Sequence, residues 1–172
     1  SRSERQRCLE VLKAGLESAE FWPSIHAAEG LTLGGYGELV RDALRERIVI
    51  EKDDQRRCGL ARELVRSGDR SYASIMIDIL SAKDPHGHVH AAESLYKVLE
   101  IGDGNALRLA FQQSENVSLK LMAAGALGRC GNPRAMRFLR QSLQSSSLDV
   151  CRLSAWLLGR IGDSSDIPQL QA

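Results

Sequence analysis

Apolar and small residues recur along the chain with the spacing of a helix, and the helical pattern itself recurs. Ala28, Ala61, Ala92, Ala124 and Ala155 are separated by 33, 31, 32 and 31 residues. Each is followed three positions later by a leucine: Leu31, Leu64, Leu95, Leu127 and Leu158. Four are followed seven positions later by a glycine (Gly35, Gly68, Gly131 and Gly162), while the third waits until Gly102, as if Leu99-Glu100-Ile101 had been inserted. An alanine lets a neighbouring helix approach, the leucine fills the space one turn on, and the glycine suits a left-handed helix end.

A second helix follows each glycine. Five residues on lie Val40, Ala73, Leu107, Met136 and Ile167, and eight on lie Ala43, Met76, Ala110, Leu139 and Leu170, all apolar. Asn132-Pro133 reads as an N-cap with proline at the first helical position, and Asp69, Asp103 and Asp163 take the matching place elsewhere. Polar links such as Glu51-Lys52-Asp53-Asp54 and Ser145-Ser146-Ser147 join the hairpins. Before the first repeat, Cys8, Leu9, Leu12, Leu16 and Ala19 form an amphipathic stripe, a cap or the remnant of an earlier hairpin. The pattern predicts about eleven helices and no sheet. The fold class is all-α, an α-solenoid of about five antiparallel helix pairs that share one core. Unit bounds fall near 22–50, 53–83, 84–115, 116–147 and 148–172 behind a leading helix at 1–20, and the abrupt ending inside the last helix suggests a segment of a larger protein.

The stretches Val150-Cys151-Arg152-Leu153-Ser154-Ala155-Trp156-Leu157-Leu158-Gly159-Arg160-Ile161-Gly162-Asp163 and Ala123-Ala124-Gly125-Ala126-Leu127-Gly128-Arg129-Cys130-Gly131-Asn132-Pro133 resemble the short HEAT repeat first described in phycobilin lyases. The likeness covers about residues 22–172 and is specific for architecture. It implies a right-handed superhelix whose Ala-x-x-Leu helices line the concave face. It also implies three enzymatic alternatives: a bilin lyase, a di-iron hydroxylase, or a DNA glycosylase with a basic groove.

On those helices, positions −2, +1 and +5 from the repeat alanine share a face. They hold His26, Glu29 and Leu33; Gly59, Arg62 and Arg66; His90, Glu93 and Lys97; Met122, Gly125 and Arg129; Leu153, Trp156 and Arg160. His26, Glu29, Arg62, Arg66, His90, Glu93, Lys97, Arg129, Trp156 and Arg160 are therefore the candidate contacts for a protein or peptide partner. Histidine and glutamate three apart, in the near-identical hexapeptides at 26–31 and 90–95, could pair with each other or face a ligand. Arg66, Lys97, Arg129 and Arg160 form a cationic ladder suited to an acidic ligand, although cations also stabilise helix C-termini directly. Trp22, beside Pro23 at a unit boundary, reads as packing.

Composition narrows the field. With 23 basic and 22 acidic residues the net charge is +1, which argues against nucleic acid and a polybasic membrane face. No apolar run approaches the roughly 20 residues of a membrane span. Cys8, Cys58, Cys130 and Cys151 have no metal-ligand spacing and read as buried free thiols, giving a cytoplasmic setting. The histidines are followed by alanine rather than glutamate, unlike the His-Glu dipeptides of the di-iron hydroxylases, and the two hexapeptides stand roughly 20 Å apart on stacked helices. His86, His88 and His90 alternate through a loop and helix start, where their rings should diverge. Gly34-Gly35-Tyr36-Gly37 lacks a strand before it and a Walker lysine, so it reads as a turn. The expectation is a non-enzymatic binding scaffold without cofactor or metal. The alternatives are a structural spacer and the enzymes named above.

Overall fold

The computed structural model describes residues 2–171. Eleven α-helices follow in order: α1 (Arg2–Leu16), α2 (Phe21–Leu33), α3 (Gly37–Ile50), α4 (Asp54–Arg66), α5 (Ala73–Ser81), α6 (His88–Val98), α7 (Asn105–Gln113), α8 (Val117–Arg129), α9 (Pro133–Ser142), α10 (Leu148–Ile161) and α11 (Ile167–Gln171). Short 3-10 turns at Arg70–Tyr72 and Ser164–Asp166 precede α5 and α11, and no strand occurs among the described residues. Among the described residues no helix is long and apolar enough to cross a membrane.

The hairpins stack in sequence. Each even-numbered helix from α2 to α10 packs on the next even-numbered one, whereas the second helices meet less closely, α5 on α7 and α7 on α9 through the Phe111 and Phe138 rings, centroids 5.3 Å apart. The even-numbered helices thus form the more closely stacked row of an α-solenoid and are termed the inner helices. All five repeat leucines are buried, as are Ala28, Ala61, Ala92 and Ala124. Ala155 is only half-buried, and Ile167 is exposed on the short α11.

Helix ends follow the punctuation of the chain. Gly35, Gly68 and Gly131 adopt φ of 90°, 112° and 81° just past α2, α4 and α8, a region where a side chain clashes. Gly162 does not: its φ is −72° with extended ψ, so α10 ends without a left-handed residue. In the third unit Leu99 itself takes φ 60° at the end of α6, and the three inserted residues carry the chain on to Gly102. Asn132 caps α9 as expected, accepting from the backbone N–H groups of Arg134 and Ala135 at 3.0 and 3.1 Å. The three aspartates behave differently. Asp163 makes a capping box, but on the 3-10 turn; Asp69 opens a 3-10 turn and accepts from the Ser71 hydroxyl; α7 starts after Gly104, with Asp103 accepting from Asn105 N–H.

Side chains tie the layers together where backbone groups would otherwise be orphaned. Ser24, fully buried in α2, donates to the Leu16 carbonyl at 2.7 Å and accepts from Arg47 of α3 at 2.6 Å, joining three helices. Arg140 of α9 grips the buried Asp166 at 2.6 Å and Asp163 at 3.0 Å, fixing the last turn. The guanidinium holds the Asp166 carboxyl below its ordinary range.

Candidate binding groove

The inner helices present their polar positions as a graded series. At the first end, His26 is well exposed, with Nδ1 3.8 Å from Glu29 Oε2, and Glu29 Oε1 receives Arg66 across the repeat boundary at 3.0 Å. His90 does not reproduce that pairing. Its ring stacks on Trp22, centroids 5.7 Å apart and planes 21° from parallel, while Glu93 turns to Lys97 one helical turn on at 2.8 Å. Trp22 is 40% exposed and so belongs to this face rather than to the core.

Arg62 departs furthest from expectation. It is 5% exposed, with Nε donating to Glu63 Oε1 at 2.7 Å. Glu63 has no exposure and also accepts from Arg66 at 2.7 and 2.8 Å, so one carboxylate holds two guanidiniums inside α4. Arg62 is therefore an internal strut and not a groove contact. A sequence signal for it existed: the position two past the repeat alanine holds Gly30, Ser94, Ala126 and Leu157 in the other units, and a glutamate among these is out of pattern.

Toward the other end the floor becomes aromatic. Tyr96 of α6 and Trp156 of α10 approach with centroids 5.5 Å apart, although α8 lies between their helices. Gly125 of α8 makes this possible, since a Cβ there would meet Leu157 Cδ2 at 2.6 Å and Tyr96 Cδ2 at 3.4 Å. Gly59 of α4 lies under Phe21 and Trp22 more loosely, since a Cβ there would meet them at 3.4 and 3.6 Å, ordinary packing distances. Each aromatic pair thus bridges a glycine on the helix between. The Arg129 guanidinium lies 5.3 Å from the Tyr96 ring centre and donates to the Tyr96 carbonyl at 2.6 Å, and that of Arg160 lies 4.7 Å from the Trp156 ring centre. Burial raises the Tyr96 hydroxyl above its ordinary value, against the opposing pull of Arg129 and Arg160.

These side chains enclose one cleft of about 490 Å³, lined by Glu29, Arg66, Tyr96, Lys97, Arg129, Trp156 and Arg160. The cationic ladder thus converges, and Tyr96, whose column elsewhere holds Thr32, Val65, Gly128 and Gly159, joins it unforeseen. His26, His90 and Glu93 lie on the same helices outside the cleft lining. Arg129 and Arg160 have no carboxylate partner among the described residues.

Other candidate chemistry disperses. His86 pairs with Asp53 at 3.0 Å and His88 reaches the Ala82 carbonyl at 3.0 Å, so the three alternating rings point to different partners. Among the described residues no three His, Cys, Asp or Glu side chains gather as metal ligands. The cysteines divide, contrary to the reading of all four as buried: Cys58 is buried and Cys151 half-buried, but Cys8 and Cys130 are exposed, because each lies on the outward side of a helix end or stripe. Burial pushes the Cys58 thiol up to about 12, which keeps it protonated and unreactive.

A row of stacked helical hairpins with a graded inner face defines an α-solenoid of the repeat-protein class. Residues 104–172, from the start of α7 onward, match the family of HEAT repeats, while the helices before them share the same hairpin stacking. The match is to HEAT repeats as a class, and the narrower likeness to the phycobilin-lyase type rests on the residues that carry it. HEAT repeats generally serve as protein-interaction scaffolds. No curated protein matches the chain.

Proposed function

We propose that the chain binds a protein or peptide segment along the inner face of its even-numbered helices. The observation that carries this reading is the cleft itself, where cations from four successive repeats meet an aromatic floor. A stacked solenoid holds such groups rigidly, so little ordering cost opposes binding. Arg66 and Lys97 neutralise neighbouring carboxylates and shape the wall, while Trp156, Arg129 and Arg160 are the groups free to meet a partner. The chain on this reading captures without turnover. Four free cysteines fit a cytoplasmic setting.

Exchanging the charges of one wall pair tests the reading. Glu93→Lys with Lys97→Glu keeps an ion pair on α6 and should cost less than about 0.5 kcal/mol. Partner capture by the doubly substituted chain should be lost while the melting temperature stays within about 2 °C. Capture equal to wild type would remove this face from consideration. Stoichiometric iron in purified protein would favour the hydroxylase alternative instead.

A further inference from the structure

We propose that the Arg129–Arg160 end of the cleft is a receptor for the carboxylates of an acidic peptide segment. This rests on the groove reading above and names the chemistry of what the groove takes.

The distribution of charge leads there. Glu29, Glu63 and Glu93 already engage Arg66, Arg62 and Lys97, at distances of 2.7 to 3.0 Å. Arg129 and Arg160 remain without a carboxylate among the described residues, and both are exposed. They are nevertheless held in place. Each lies over an aromatic ring, and the Tyr96 carbonyl fixes one of them. Contact with a ring occupies a face of the guanidinium and leaves in-plane N–H groups to donate, the geometry that suits a carboxylate. A group already immobilised loses little rotamer freedom when a ligand arrives.

The same face disfavours the other common polyanion. A phosphodiester backbone running along the inner helices would pass from these arginines to Glu29 and Glu93, and the chain has a net charge of only +1. A peptide can confine its acidic residues to one end and avoid that repulsion. Extended, about six residues cover the roughly 20 Å from α6 to α10.

Fluorescence anisotropy at low ionic strength decides the matter with three labelled probes of similar length: an oligoglutamate, an oligoglutamine and an oligothymidylate. The oligoglutamate should bind and the oligoglutamine should not. Arg160→Gln, which removes an exposed side chain and no backbone contact, should weaken oligoglutamate binding about tenfold, and Arg129→Gln with Arg160→Gln about a hundredfold. Removing two exposed charges from the second-helix row, Arg134→Gln with Arg137→Gln on α9, should leave it unchanged. Absent oligoglutamate binding overturns the proposal, as does an equal loss in the α9 variant. Tighter oligothymidylate binding through the same arginines would make the ligand a nucleic acid. If these probes fail while the Glu93/Lys97 exchange still abolishes partner capture, the groove reading survives and only the carboxylate chemistry falls.

Discussion

The second and fourth inner helices, α4 and α8, are the same length, each bury eight residues and each begin at a capping side chain, Asp53 or Asn116. Their interiors are opposite. Between Leu119 and Leu127, α8 buries only aliphatic residues, a methionine and glycine, whereas α4 buries Arg62 and Glu63 beside its apolar residues. The consequence appears on the groove. Around α4 the cations are consumed by internal carboxylates; at the end of α8, Arg129 has no carboxylate partner among the described residues. A repeat frame can therefore carry its charges as struts or as contacts, and the buried glutamate decides which.

The widest separation between the two helices should come from Glu63→Ala. It strands Arg62 in a buried site and should cost about 3–5 kcal/mol in urea unfolding. Arg62→Met with Glu63→Leu removes both charges and should return most of that loss; failure to recover would mean the pair contributes more than compensation. In α8 the comparable break is Leu121→Ala, expected to cost about 2–4 kcal/mol through the cavity it leaves.

The two bridging glycines give a finer contrast. Gly125→Ala drives a Cβ against the buried Leu157 at 2.6 Å and should destabilise by about 1 kcal/mol despite better helix propensity. Gly59→Ala meets only ordinary contacts at 3.4 Å and beyond, so it should be neutral or stabilise by up to about 1 kcal/mol. Thermal unfolding of the two alanine variants would show whether the α8 trough is the tighter.

The smallest effect concerns the mouth of α4. His86 is raised above 6.5, chiefly by its hydrogen bond to Asp53, and Asp53 is lowered below 3.8, chiefly by His86. The histidine's contribution is present below its ordinary value and is lost as pH rises through the raised one. The aspartate's is present above its ordinary value and is lost as pH falls through the lowered one. Between about pH 5.5 and about pH 8 the melting temperature should therefore drift down slightly, and His86→Gln should flatten that drift. An identical slope in the variant would discount the pair.

Much of this was legible in the residues alone. The Ala-x-x-Leu frame and the glycine stops are backbone and volume constraints, which repeat with the hairpin, so they located the helices and the cationic ladder. What the frame could not deliver were interactions that cross it. Arg62 sits at a position that is exposed in the fifth unit, and only the carboxylate next to it in the chain turns it inward. Tyr96 and Trp22 reach over an intervening helix to rings two repeats away, at Trp156 and His90, and such a reach is set by the stacking of three helices rather than by their own local pattern. Cys130 follows Arg129 at a helix end, where the repeat register no longer dictates burial.

The tighter stacking of the even row has a mechanical meaning. When a curved rod flexes, the material along its closely bonded side changes length least, and the loosely joined side takes up the strain. Here the loose side is the row of second helices. Arg66, Lys97, Arg129 and Arg160, strung along the stiff side, would keep their mutual spacing while the solenoid bends, so a bound segment would feel little of the motion.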